Sequence, residues 1–210
     1  MGEIKAFMKS RSKMNLLITA INVLIFLIME LRGNTQDSLY ILWHGGSYMP
    51  FIRDYGEYYR LFTSMFLHFG IGHLFNNMLV LIFLGDTLEG TVGKIKYLII
   101  YLGGGLMGSF LSYYLALKNG SDTVAAGASG AVFAVIGALL YLVIVNKGRL
   151  QEINGKRLML MASLSIYQGF ASANVDNAAH VGGLMGGFIL AIVLYRKPQT
   201  PKFNDLSQAE

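Results

Sequence analysis

The sequence predicts an all-α polytopic membrane protein, a prediction that rests on three observations. Hydrophobic residues make up 54% of the chain and charged residues only 14%, whereas roughly a quarter of the residues in soluble domains are charged. Apolar runs recur at lengths that suit a hydrocarbon core ~30 Å thick, which about 20 helical residues cross. Most basic residues lie next to those ends of the runs that would share one side of a membrane. The expected architecture is a bundle of six transmembrane helices.

Six spans account for the apolar runs. The first has a basic flank but no convincing small-residue cleavage site, so we expect a retained helix and not a cleaved signal peptide. The tails, 1–13 and 196–210, are too short to fold alone, which leaves one domain over 14–195. The predicted spans are 14–30, 72–89, 95–117, 124–146, 157–174 and 178–195.

The distribution of positive charge sets the expected orientation, because Lys and Arg favour the cytoplasmic side of a membrane. Thirteen basic residues share one side, among them Lys5, Lys94, Lys147 and Arg196, and we therefore expect both termini in the cytoplasm and the chain in the plasma membrane. The sequence pI near 9.3 does not indicate nucleic-acid binding, since no basic stripe lies on a soluble domain. The four basic residues on the other side are Arg32, Arg53, Arg60 and Lys118.

The long first outer loop, 31–71, is rich in aromatic residues, which favour the membrane–water interface. A loop of this length in a compact unit is usually functional. We expect it to lie partly in the outer leaflet.

Three of the predicted spans carry polar residues near the same end. Spans two, four and six all run from the outer to the inner face, and the polar residues lie about 10 Å or less below the outer surface. They are His73, Asn76 and Asn77 in span two, Ser129 in span four and His180 in span six. A polar residue inside a span is costly and indicates function. Their common depth indicates one site.

The residue types at this depth suit nucleophilic attack on a carbonyl group. A serine hydroxyl needs a base to take its proton, and neutral imidazole is the usual base. Acyl transfer also needs donors aimed at the developing oxyanion. His73 and Asn77 share a helix face, and the Asn77 amide and the Ser129 N–H can both donate. The alternative is that Ser129, between small residues, only permits close packing of two helices.

Together these residues resemble the rhomboid family of intramembrane serine proteases over essentially the whole of 14–195. Each motif is weak alone, but their order, their placement in the spans and their common side make the combination specific. The motifs are G-x-S-G (Gly127, Ser129, Gly130), H-x-x-x-N (His73, Asn77), A-H-x-x-G followed by G-x-x-x-G (Ala179, His180, Gly183, Gly187), and Tyr59-Arg60 in the first loop.

The resemblance implies a six-helix core with a water-filled cavity that opens to the outside. It implies a dyad in which Ser129 is the nucleophile and His180 the general base and acid. It also implies an oxyanion hole formed by Asn77, His73 and the Ser129 backbone N–H. Phe133 occupies the position at which the family has an aromatic ring against the histidine. Further supporting residues are Gly127, Gly130, Gly183, Gly187 and Arg60.

Other polar or small residues have plainer interpretations. Asp176 is interpreted as a cap at the start of span six and not as a third catalytic group. His68 is interpreted as a structural hydrogen-bonding residue of the first loop, and His44 as a solvated loop residue. Gly104-x-x-x-Gly108 indicates close helix packing. The chain has no complete G-x-G-D motif and no H-E-x-x-H motif, so neither an aspartyl nor a zinc mechanism is indicated.

We therefore expect a serine endopeptidase that cleaves transmembrane segments of membrane-anchored proteins near the outer face, with the weak fifth span as a lateral gate. Its expected partners are these substrates and the lipid bilayer, not nucleic acid. The sequence indicates no metal or nucleotide cofactor and does not indicate the oligomeric state. The rival function is that of a non-catalytic rhomboid-like binder or chaperone. A small transporter is less favoured, because the polar residues cluster near one side.

Overall fold

The structure, a computed structural model, describes residues 12–147, 149–150, 153–156, 158–160, 163–164 and 175–197. The helices are α1 (Lys13–Arg32), α2 (Ser38–Trp43), α3 (Met49–Tyr55), α4 (Arg60–Thr63), α5 (Gly70–Val80), α6 (Asp86–Val92), α7 (Lys94–Asn119), α8 (Ser129–Val145) and α9 (Asn177–Leu194). A 3₁₀ turn, Ser64–Phe66, follows α4, and a π-helical segment, Leu81–Gly85, joins α5 to α6.

The predicted helical membrane architecture is confirmed. Among the described residues, four stretches are long and apolar enough to cross a membrane: α1, the continuous stretch Gly70–Val92, α7 and α9. Helix α8 is apolar and shorter, at 17 residues. These five correspond to predicted spans one, two, three, six and four. The predicted fifth span, 157–174, and with it the lateral gate, lies outside the described residues apart from 158–160 and 163–164.

Two short strand pairs depart from the all-helical prediction. Span four was predicted to begin at 124, but α8 begins only at Ser129. The residues before it form strand β2 (Val124–Ala125), which pairs antiparallel with β1 (Ser47–Tyr48) in the first loop. This pairing joins distant parts of the chain, so no local pattern indicated it. The second pair is β3 (Arg149–Leu150) with β4 (Ile153–Asn154).

Glycines let α7, α8 and α9 pack closely. A Cβ at Gly104 of α7 would overlap Ala134 of α8, and one at Gly108 would lie 2.6 Å from the carbonyl oxygen of Ala179 in α9. A Cβ at Gly187 of α9 would overlap the carbonyl group of Ala134. Small residues allow this approach between membrane helices. The packing role predicted for Gly104-x-x-x-Gly108 is therefore confirmed.

Carboxylates of α6 cap α1 at the end of the bundle where α1 and α7 begin. We call it the basic end. Glu89, only 4% exposed, accepts the backbone N–H groups of Met14 and Asn15 at 3.2 and 2.7 Å. Asp86 accepts the N–H of Ser12 at 2.7 Å. The first turn of a helix leaves N–H groups without intrahelical partners, and the two carboxylates accept three of those at the start of α1.

The side chain of Asn15 connects α1 to two further elements at the basic end. Its Oδ1 accepts the Tyr97 hydroxyl of α7 at 2.7 Å, and its Nδ2 donates to the Ile82 carbonyl of the π-helical segment at 3.4 Å. Tyr97 is fully buried. A buried amide with both ends paired fixes α1, α7 and the π-helical segment against one another.

Candidate active site

A cavity of about 1170 Å³ opens at the other end of the bundle, where α5, α8 and α9 begin. We call it the site end. Its wall includes His73 and Asn76 from α5, Ser112 from α7 and Ser129 from α8. Residues of the first loop and of β2 complete the wall. Three of the polar residues that the sequence predicted at one depth therefore line one space.

Ser129 is the first residue of α8, so its N–H belongs to the turn that lacks intrahelical acceptors. The residue before it, Ala128, donates its N–H to Nε2 of His68 at 3.4 Å. His68 is 1% exposed, and burial lowers its pKa to about 3, which keeps the ring neutral and Nε2 an acceptor. The predicted structural role of His68 is thus confirmed. His44, by contrast, is exposed, as predicted.

Gly127 allows the loop before α8 to lie against α5. Its N–H donates to the Ser64 carbonyl at 2.9 Å. Its φ is +141°, a conformation that side chains disfavour. A Cβ there would also lie 2.7 Å from Cε1 of His73 and 3.7 Å from Oγ of Ser129. Glycine is therefore needed both for the backbone conformation and for the close approach of His73 to this loop.

Asn77 is buried, with 6% of its surface exposed, on the same face of α5 as His73. Its Nδ2 donates to the His73 carbonyl at 3.1 Å. An amide carries two N–H bonds, so this contact leaves the second one for another acceptor. The His73 ring meets the ring of His68 edge-on, with centroids 5.2 Å apart.

His180 lies on α9 and is 8% exposed. Phe133 of α8 stacks on its ring, with centroids 4.3 Å apart and planes 15° apart, as the resemblance implied. A Cβ at Gly183 would overlap the Gly130 carbonyl, so α8 and α9 also touch one turn further on. Ser129 Oγ is not hydrogen-bonded to His180 in this structure. Catalytic hydrogen bonds often form fully only when substrate binds.

Asp176 caps α9, as predicted. One carboxylate oxygen accepts the Ala179 N–H at 2.9 Å, and the other accepts the Ser112 hydroxyl of α7 at 2.5 Å. Both oxygens are thereby engaged. No described residue hydrogen-bonds with Nδ1 of His180, so the ring is held by stacking and not by a carboxylate.

Arg60 organises the first loop from inside. Its side chain is 3% exposed, and Nη1 donates to the carbonyls of Leu42 and Gly46 at 2.6 and 2.9 Å. Its Nε donates to Glu57 at 2.5 Å, and the guanidinium lies 4.9 Å from the centre of the Phe51 ring. These contacts fix the segment that leads into β1. The sequence analysis did not single out Glu57, although its position three residues before Arg60 was a usable signal.

A second, small cavity of about 30 Å³ lies beside Ser129. This volume is enough for at least one water molecule, and hydroxyl groups can donate to and accept from water. Besides Ser129, the serines that line this small cavity are Ser47, Ser64, Ser109 and Ser112. The cavity was not predicted from the sequence, because its serines come from separate segments.

In the part of the chain described, no group of three His, Asp or Glu side chains could hold a metal ion.

Comparison with known proteins extends over most of the chain. The Rhomboid domain family matches residues 55–197. Rhomboid protease GluP of Bacillus subtilis is 34% identical over 91% of this chain, which spans 37% of that protein. Putative rhomboid protease YdcA of the same organism is 32% identical over 69% of this chain and 71% of its own length. RHOMBOID-like protein 2 of Arabidopsis thaliana is 39% identical over 67% of this chain and 44% of its own length.

Proposed function

Because this chain belongs to the rhomboid family, we propose that it is an intramembrane serine endopeptidase that cleaves transmembrane segments of membrane-anchored proteins. One observation carries the proposal. Ser129 lies at the wall of a cavity of about 1170 Å³, and four residues further along α8 Phe133 stacks on the His180 ring of α9. The match to two proteins named as rhomboid proteases supports the same class of activity.

Ser129 and His180 form the reacting pair in this proposal. The Ser129 hydroxyl oxygen attacks the scissile carbonyl carbon while His180 takes the hydroxyl proton. The tetrahedral intermediate collapses, and His180 returns the proton to the leaving amine. Water then attacks the acyl carbon of the serine ester while His180 takes one of its protons. The bond from this carbon to the Ser129 oxygen breaks as His180 gives that proton to the oxygen, which releases the new carboxyl group and restores free Ser129. The small serine-lined cavity is a place from which such a water molecule can come.

Three donors stabilise the oxyanion in this proposal. They are the second N–H of the Asn77 amide, a ring N–H of His73 and the backbone N–H of Ser129. The Asn77 amide uses only one hydrogen for the His73 carbonyl, which supports its availability. The close approach of His73 to Gly127 and Ser129 supports the same role. Such donors act on the transition state because the charge develops only there.

The proposed setting is a plasma membrane with both termini in the cytoplasm and cleavage near the outer face. The bias of thirteen basic residues to four supports this orientation. Exposed aromatic side chains of the first loop support its contact with the outer membrane interface. They include Trp43, Tyr55, Tyr58 and Tyr59, which are 69, 74, 60 and 56% exposed.

A serine-reactive fluorophosphonate probe tests the proposal directly. The purified protein should be labelled and should cleave a fluorescent transmembrane peptide in lipid vesicles, whereas Ser129→Ala should do neither. Equal cleavage by the wild type and Ser129→Ala would contradict the proposal. Binding of the peptide with neither labelling nor cleavage would instead support a non-catalytic rhomboid-like binder.

A further inference from the structure

Two residues on the outer turns of α5 interrupt its exposed apolar face. Gly72 and Asn76 are four residues apart and share one side of the helix, and both are exposed and line the large cavity. We call this pair the α5 notch. Its neighbours on the same helix are exposed apolar side chains: Ile71, Phe75 and Leu79, at 66, 60 and 44%.

Among the described residues, neither backbone conformation nor packing requires the glycine of the α5 notch. Its φ is not in the left-handed region, and a Cβ built there would meet no atom of a described residue within 4 Å. This is the reverse of Gly127, where a Cβ would meet the His73 ring. Glycine inside a helix also lowers helix stability relative to alanine. What the missing side chain does provide is open space beside the cavity.

The asparagine of the α5 notch has no hydrogen-bond partner among the described residues. The adjacent Asn77 is buried and bonded to the His73 carbonyl, so the two asparagines face different surroundings. A polar side chain in a membrane span is costly and usually functional. An amide can donate two hydrogen bonds and accept others, which matches the N–H and C=O groups of a peptide main chain.

We propose that the α5 notch binds the main chain of a substrate segment as that segment unwinds beside the cavity. This inference rests on the proposed function. A helix in lipid satisfies all its main-chain groups internally, so each group freed by unwinding needs a new partner. Asn76 pairs with a freed N–H and C=O, and the missing side chain at Gly72 lets the substrate main chain come close.

Binding in an inactive background tests the proposal without depending on catalysis. Two fluorescent transmembrane peptides in lipid vesicles are titrated with Ser129→Ala protein: one with glycines near its outer end, which unwinds, and one of leucine only, which does not. Adding Asn76→Ala should raise the Kd of the glycine peptide about three- to twentyfold, the range of single hydrogen bonds in membrane proteins. Adding Gly72→Ala should also raise this Kd, because the new methyl group occupies the space that the substrate main chain enters. The Kd of the leucine peptide should not change.

Two controls separate this role from a structural one. Phe75→Ala removes an exposed apolar side chain from the same turn and should leave the Kd of the glycine peptide unchanged. Gly72→Ala should melt at the same temperature as the parent or higher, since alanine favours the helix. An unchanged Kd for both notch variants, or an equal rise for both peptides, overturns the proposal. Failure of fluorophosphonate labelling in the wild type would contradict the proposed function alone.

Discussion

Both ends of the bundle carry polar side chains, but the two ends differ in whether these side chains have hydrogen-bond partners. At the basic end, Glu89 accepts the N–H groups of Met14 and Asn15, and the Asn15 side chain is paired at both its oxygen and its nitrogen. At the site end, Nδ1 of His180 is buried with no hydrogen-bond partner among the described residues. The Asn76 amide is exposed at the cavity and has no partner among these residues either.

This difference separates structural polar groups from those available for a reacting molecule. A buried polar group that is paired stabilises the fold, and one left unpaired costs free energy that only a bound partner recovers. Substitutions at the basic end should therefore lower stability with little effect on turnover per folded molecule. Substitutions of the unpaired groups at the site end should do the reverse.

Of the substitutions considered, His180→Ala at the site end should have the largest effect on turnover. Loss of the base should lower kcat for a transmembrane peptide by about 10⁴-fold or more. The melting temperature should stay close to that of the wild type, because no described residue hydrogen-bonds with Nδ1 of the ring. Turnover and melting are measured on one preparation. A folded His180→Ala protein with near-normal turnover would rule out the dyad.

Asn77→Ala should lower kcat by about 10²-fold, equal to about 2.7 kcal/mol, with little change in substrate binding. Its neighbour provides a matched control, since Asn76→Ala should weaken binding and leave kcat nearly unchanged. If Asn77 only packs between helices, its loss should cost about 0.6 kcal/mol of stability. A destabilised Asn77→Ala protein with full kcat would remove it from the oxyanion hole.

Glu89→Ala should lower the free energy of unfolding by about 2–3 kcal/mol, because buried N–H groups of α1 lose their acceptor. Turnover per folded molecule should stay within about twofold of the wild type. Glu89→Gln keeps an acceptor oxygen and should lose less stability. Loss of turnover with normal stability would mean that the two ends do not divide structure from function in this way.

His68 should make the smallest of these contributions, a contribution to the free energy of unfolding that depends on pH. Burial lowers its pKa to about 3, below the 6.5 of an unperturbed histidine. Between these values the unfolded chain binds a proton that the folded chain does not, so the contribution to stability is complete above pH 6.5 and falls toward pH 3. From pH 7 to pH 5 the loss is about 2 kcal/mol.

Denaturation of the wild type and His68→Gln at these two pH values measures that contribution. The variant keeps an acceptor but cannot titrate, so its stability should fall by about 2 kcal/mol less between pH 7 and pH 5. Identical pH dependence in the two proteins would show that folding does not lower the pKa of His68. His68 would then be protonated in the folded protein at pH 5 and unavailable there as the acceptor for Ala128.

The sequence was sufficient for those features that depend on local pattern. Apolar runs predicted five of the described membrane helices, and the order of G-x-S-G, H-x-x-x-N and A-H-x-x-G indicated the family. The cap at Asp176 and the stacking of Phe133 on His180 also followed from spacing and resemblance. The catalytic roles of Ser129 and His180 remain predictions.

What the sequence analysis missed depends on contacts between distant segments. The β1–β2 pairing joins the first loop to the segment before α8, and the small cavity combines serines from several elements. No local sequence pattern predicted the π-helical segment. It is in contact with a helix distant in sequence, since Asn15 of α1 donates to its Ile82 carbonyl. Glu89 could have been noticed, because a carboxylate inside an apolar span requires a partner.

The π-helical segment has a consequence for how the length of this helix is constrained. Glu89 lies twelve positions after Asn77. In a regular α-helix the side chains of Glu89 and Asn77 would point about 120° apart around the helix axis. The one extra residue in the π-helical turn reduces this angle to about 20°. Both side chains are buried, at 4 and 6% exposed. An in-frame deletion of one codon within Leu81–Gly85 would remove no motif and little apolar character, yet it would turn the carboxylate away from α1. The number of residues in this segment, more than their identity, lets one helix serve both ends of the bundle.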